Sequence, residues 1–270
     1  MGYSFAQMSL AAPIVIFVRP LNAGNIGALC RVMANFSCAE LRIVSAKEQH
    51  EEPYTMEDWA MATENGKKIL DSATKFNSLE EAVHDLHFCV GSSGREQSFP
   101  KGYQRELLSP SQAFKRVFTK EPNTKWALVF GPEDSGLNAV ENSLCDFLIR
   151  VPTEEKSPSM NVAMCAGVLL YHWKYLTELN QERHEPDQKN SHINLASFSD
   201  KQKFLNFLKL NLEESEFFKH PDKNNVLARF VKFLQNLDLE QGDLLLAFEV
   251  LYQLRCTNKK EYSERNFLSN

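Results

Sequence analysis

At 270 residues, with a formal net charge of −5 and a pI near 5.9, the chain has material for one large or two modest domains. It lacks the strong positive balance of a protein that coats nucleic acid indiscriminately, although a local cationic face would still suffice for RNA. No apolar run approaches the roughly 20 residues needed to cross a bilayer, and the opening MGYSFAQMSLAAP lacks a charged n-region and a long apolar h-region, so no membrane anchor or secretory signal is expected.

Pro13–Val18 (PIVIFV) is a short continuous apolar run, the mark of a buried strand. In the following RPLNAGNIGALCRVMANFS, Asn25 is the expected N-cap, and Ile26, Leu29, Cys30, Met33 and Phe36 recur at helical spacing, predicting a helix over Asn25–Phe36. Gly24-x-x-Gly27 reads as a turn or a generic phosphate-holding amide cluster; without a following Gly-Lys-Ser/Thr it is no P-loop. Further strands are predicted at Leu41–Val44, Leu86–Val90, Trp126–Phe130 and Phe147–Val151. They alternate with helices at Glu57–Leu70, Leu79–Asp85, Ser109–Phe118 and Asn161–Leu179. This alternation predicts an α/β domain with a mainly parallel sheet and helices on both faces.

Asn180–Ser197 is polar and holds a proline, the composition of a linker. The expected division is therefore a domain over 1–180, a linker over 181–198 and a small helical C-terminal domain over 199–270. In the last, Ser199-Asp200 opens a helix through about Leu212, HPDKNNVLARFVKFLQNL forms a second and LEQGDLLLAFEVLYQLR a third. Phe204, Phe207, Leu208, Val226, Phe230, Phe233 and Leu234 are its expected core. The six cysteines form no C-x-x-C pair and read as small buried hydrophobes in a reducing, cytoplasmic setting. His84, His87 and Cys89 have no second ligand pair, so no metal is expected.

Residues 128–164, LVFGPEDSGLNAVENSLCDFLIRVPTEEKSPSMNVAM, carry the most chemistry. Two buried-strand runs each break into a loop of small, polar and proline residues, and parallel sheets bind ligands at the carboxyl ends of their strands. Gly131 and Gly136 permit tight turns or close backbone approach, and Glu133 places a carboxylate beside them. Pro152 and Pro158 restrict the second loop before anything binds. Ser159 and Asn161 either cap the next helix or offer hydrogen bonds to a ligand.

Three motifs, in this order, resemble those of the SPOUT superfamily of RNA methyltransferases in its SpoU branch. They are Asn25-Ile26-Gly27-Ala28-Leu29-Cys30-Arg31, Phe130 through Leu137, and Ser159-Met160-Asn161. The likeness covers nearly the whole chain, including the helical tail. It implies a trefoil-knotted sheet, a homodimer packing near the helix after Asn161, and S-adenosylmethionine as methyl donor. It further implies methylation of a ribose 2′-hydroxyl in RNA, most specifically tRNA at anticodon-loop nucleotide 32. By the same resemblance Arg31, Asn25, Glu133 and Asn161 are catalytic, and Ser92, Ser93, Gly94, Gly131, Val151, Pro158, Ser159 and Met160 hold the cofactor. Two positions depart from the family pattern: Ser37 stands where a glycine is usual, and Pro158 where relatives carry a small polar residue. The competing readings are a 2′-O-methyltransferase for another tRNA or rRNA site, and a non-catalytic RNA-binding module of the same fold. A dinucleotide-binding enzyme would need G-x-G-x-x-G after the first strand, which is absent. Arg19, Arg31, Arg95, Arg105, Lys115 and Arg116 are the candidate cations for an RNA face.

Overall fold

The computed structural model describes residues 11–45, 61–94, 99–100, 103–120, 124–182, 194–214, 229–232 and 239–253. It divides into two compact units, Met1–Ser191 and His192–Asn270.

The first unit is built on a seven-stranded parallel sheet. Its strands are β1 (Ile14–Val18), β2 (Leu41–Val44), β3 (Thr74–Phe76), β4 (Phe88–Ser92), β5 (Leu107–Leu108), β6 (Trp126–Phe130) and β7 (Phe147–Ile149), in the order β3-β2-β1-β6-β4-β7-β5. The helices are α1 (Ala23–Asn35), α2 (Glu64–Asp71), α3 (Leu79–Val83), α4 (Pro110–Val117), α5 (Ala139–Leu144) and α6 (Val162–Glu182). Strand side chains alternate between faces. Val15, Phe17, Leu128 and Phe130 pack in one core with α1, α2, α4 and α6, through residues such as Leu29, Met33, Leu70, Phe114, Leu169 and Trp173. Ile16, Val18, Val129 and Leu148 are equally buried on the other face, where α3 and α5 pack together. Trp126 anchors the first core: it stacks on Phe88 at 5.6 Å, meets the Phe114 ring edge-on, and donates its indole N–H to Ala11 O at 2.9 Å.

The expected α/β class with helices on both faces is the one observed, and five strands fall where apolar runs predicted them. Several boundaries differ. Helix α1 is capped by Asn22, whose side chain accepts from Gly24 N–H, and not by Asn25. The strand expected at Leu86–Val90 begins at Phe88, because the Leu86 N–H closes a turn onto Val83 O. The run expected to reach Val151 leaves the sheet after Ile149, as Pro152 approaches. Of the helix expected over Glu57–Leu70, residues 57–60 lie outside the described ones, and α2 is restarted by Thr63 as its N-cap. β3, β5 and α5 carry no strong apolar period; α5 is set by a capping box between Asn138 and Glu141.

In the second unit α7 (Phe198–Glu214) is opened by Ser197, which exchanges capping hydrogen bonds with Asp200, and not by Ser199. Its core joins Phe204 and Leu205 to Leu244, with Phe248 edge-on to Phe204 at 5.2 Å. Phe230 is exposed and Val231 packs inward instead. Val226, Phe233 and Leu234 lie outside the described residues. Among the described residues, no helix is long and apolar enough to cross a membrane.

Candidate active site

The carboxyl ends of β6, β4 and β7 lie side by side because β4 pairs with both neighbours in parallel register, Gly91 opposite Val129 and Leu148. The loops that leave them enclose a cleft of about 220 Å³. Ser92, Ser93 and Gly94 line it from β4, Gly131 and its loop from β6, and Val151, Pro158, Ser159 and Met160 from the segment after β7. All eight residues expected to hold a cofactor thus border one space. Thr153, Val162 and Cys165 also line it and were not anticipated. Cys165 follows Asn161 by one helical turn, a spacing that places both near the same end of α6. Burial pushes the Cys165 thiol up to about 11, so it is a neutral wall and not a thiolate near pH 7.

The shape of the cleft depends on close backbone approach. A Cβ at Gly131 would lie 2.4 Å from Leu137 N and 2.5 Å from Gly136 C, so the loop can fold back on itself only around glycine. Gly136 has φ +70, the left-handed region that glycine enters without strain. Thr153 Oγ1 donates to Pro158 O at 3.2 Å and closes the second loop, while a Cβ at Gly94 would stand 3.3 Å from that same carbonyl. Pro158 therefore contributes an acceptor that the fold itself uses, where a donor is missing.

Beside the cleft, one carboxylate gathers three donors. Glu133 accepts the Leu21 N–H at 2.9 Å, the Asn22 N–H at 3.2 Å and the Asn25 side-chain amide at 2.7 Å. Asn25 Oδ1 accepts from Asn161 Nδ2 at 2.9 Å, and Asn161 Oδ1 accepts the Ala163 N–H at 2.9 Å. Both asparagines are thereby fixed in one amide orientation. The corrected cap explains how: with Asn22 serving the helix end, Asn25 is free to bridge Glu133 and Asn161.

Arg31 is exposed on α1 and is not among the hydrogen-bond partners of this trio in the described residues. It lies six residues beyond Asn25, about 9 Å along the helix at 1.5 Å per residue. Of the other candidate cations, Arg19 adopts φ +47 and pairs with Glu141, the capping carboxylate of α5. Arg105 is buried and donates to the Cys145 and Ser143 carbonyls, so it is no part of an RNA face. Arg116 pairs with Glu106 and lies over the Phe147 ring, Lys115 is exposed, and Arg95 is outside the described residues. Of the histidine and cysteine group, His87 Nδ1 accepts the Lys125 N–H and Cys89 Sγ donates to Leu144 O.

Residues 12–171 match the SpoU rRNA methylase family, which covers the sheet, the cleft and the Glu133 network together. The chain belongs to that family. Among its relatives, the tRNA (cytidine-2′-O-)-methyltransferase TrmJ of Methanocaldococcus jannaschii is 36% identical over 157 residues, 58% of this chain and 65% of that protein. The tRNA (cytidine/uridine-2′-O-)-methyltransferase TrmJ of Photorhabdus laumondii is 23% identical across 91% of this chain and 98% of its own. The crystal structure of TrmJ from Z. mobilis shares the fold, with a TM-score of 0.71 at 22% identity, covering 91% of this chain and all of that one. The family alignment stops at 171, within α6.

Proposed function

We propose that the chain is a tRNA ribose 2′-O-methyltransferase that uses S-adenosylmethionine and acts at nucleotide 32 of the anticodon loop. The observation that carries this reading is the convergence of the three motif loops on one cleft, with Glu133, Asn25 and Asn161 hydrogen-bonded at its edge. The cleft fits the cofactor in kind: Phe130, Val151, Met160 and Val162 offer apolar walls for an aromatic base, and Ser92, Ser93, Thr153 and Ser159 offer partners for an amino-acid end. When bound, the cofactor supplies an electrophilic methyl group. The names of the TrmJ relatives supply the tRNA substrate class and the ribose 2′-hydroxyl.

The chain's own residues then divide the work. Glu133, with its oxygens committed to N–H donors, locks the β1–α1 loop against the cleft. Asn25 and Asn161 carry that constraint to the entry of α6. Arg31 stabilises the developing alkoxide, a role that the guanidinium, a fork of N–H donors with no acceptor, suits better than that of a base. The ribose hydroxyl would give up its proton to water as it takes up the methyl group that the bound cofactor would supply.

The enzyme is proposed to be a cytoplasmic homodimer with the family's trefoil knot. Met164, Val168, Tyr171 and Tyr175 form an exposed apolar stripe on α6, with Tyr171 and Tyr175 stacked at 6.0 Å, which supports a second copy seated there. The five cysteines among the described residues are free thiols, in keeping with a reducing compartment.

The test combines mapping of ribose methylation in tRNA and rRNA, from cells with and without the protein, with kinetics of Arg31→Ala. The mapping should lose one mark at nucleotide 32. Arg31→Ala should lose at least about 100-fold in turnover, the cost of removing one transition-state donor, and should keep its affinity for S-adenosylhomocysteine. Full turnover in that variant would remove Arg31 from the chemistry, and a lost mark elsewhere would change the substrate.

A further inference from the structure

Gly66 stands inside α2 without a backbone reason to be there. It is the third residue of that helix, its N–H donates to the Thr63 cap at 3.4 Å, and its φ is outside the left-handed region. At such a position glycine lowers helix stability relative to alanine. What it supplies is the absence of a side chain. A Cβ there would lie 3.1 Å from Arg31 N, 3.2 Å from Cys30 C and 3.3 Å from Arg31 Cα. These are backbone atoms in the middle of α1, tied into its own hydrogen-bond ladder, and unlike a flexible side-chain tip they do not swing aside.

We infer that Gly66 is a positioning residue for Arg31, letting α2 seat directly on the α1 backbone where the proposed catalytic guanidinium is rooted. The inference rests on the reading of Arg31 given above. Helix α1 is held from the other sides: Leu29, Cys30 and Met33 are fully buried in the sheet core, and Gly167 of α6 faces Val32. Helix α2 is pinned to the same core by Ile69 and Leu70. An added methyl must therefore be accommodated by a shift of a few tenths of an ångström shared between the two helices. The share falling on α1 acts at Arg31 itself. The cofactor cleft, lined by the loops after β4, β6 and β7, is not lined by either α2 or this part of α1.

The experiment compares Gly66→Ala, Gly66→Val, Ile69→Val and Arg31→Ala in the full-length chain. It measures kcat and KM on tRNA from cells lacking the protein, affinity for S-adenosylhomocysteine by calorimetry, and Tm. Because misplacement by about 1 Å can cost 100-fold in rate, Gly66→Ala should lower kcat about three- to ten-fold and Gly66→Val more, with S-adenosylhomocysteine affinity unchanged. Ile69→Val loosens the same helix, read as a lowered Tm, without adding an atom against Arg31, and should turn over normally. Gly66→Ala with the parental kcat, or a fall that Ile69→Val reproduces, overturns the inference. If Arg31→Ala itself keeps full turnover, the reading of the site fails and the inference falls with it. An inactive Arg31→Ala beside an unaffected Gly66→Ala sinks the inference alone.

Discussion

Ser37 shows how a single residue can record a constraint that its type disguises. It follows α1 with φ +59, and the Ser37 and Cys38 N–H groups return to Ala34 O and Met33 O. That is the Schellman ending, in which the left-handed residue is usually glycine. The family's preference for glycine there thus has a backbone cause, and this chain carries the strain of departing from it. A non-glycine residue in that region costs about 1–2 kcal/mol, and glycine returns about 0.4–1 kcal/mol of that to the unfolded chain's entropy. Ser37→Gly should therefore raise stability by about 0.5–1 kcal/mol, read by urea denaturation with unchanged slope. A destabilised variant would mean that the Ser37 side chain makes up the difference in ways the backbone does not show.

At the scale of elements, the β6–α5 loop is the part whose conformation most limits its sequence. Gly131→Ala would place its methyl far inside van der Waals contact with the Leu137 and Gly136 backbone, whereas Gly136→Ala meets open space and only left-handed strain. The first should lose S-adenosylhomocysteine affinity by more than about ten-fold, or 1.4 kcal/mol. The second should bind within a few-fold of the parent while losing about 1–2 kcal/mol of stability. Calorimetry on both separates the cases, and equal affinities would mean that the loop does not shape the cleft. Much of this was legible in the chain: the apolar runs marked β1, β2 and β6, and the glycines and prolines marked the loops. What escaped had a physical reason. β3 and β5 are short edge strands with half-exposed faces, so they show no buried run. Asn22 and Asn25 are equally good caps by type, and only the carboxylate of Glu133, far along the chain, decides which of them caps. The burial of Arg105 was equally hidden, because its partners are carbonyls and leave no mark in side-chain composition.

For the molecule as a whole, the division into Met1–Ser191 and His192–Asn270 places every residue of the cleft and of the Glu133 network in the first unit. A chain ending at residue 191 should fold and bind S-adenosylhomocysteine as the full protein does. It should methylate tRNA about ten-fold or more slowly, if the helical unit supplies contacts worth about 1.4 kcal/mol to the RNA. Cofactor binding and tRNA methylation measured side by side decide this. Methylation at the full-length rate would leave the helical unit without a substrate role, and loss of cofactor binding would make it a structural support.

The Glu133 network also has a bearing on how the protein comes into being. Its hydrogen bonds join residues 108 to 136 positions apart, and β1 itself is flanked by β2 and the much later β6. Contacts so distant in sequence repay their loop-closure entropy last and slow folding. On a ribosome adding about 5–20 residues per second, Asn25 waits roughly 7 to 27 s for Asn161 to be synthesised. Until β6 and Glu133 are made, β1 has one sheet edge uncovered and Asn25 has neither partner, and no nascent chain shorter than the start of α6 contains the whole network.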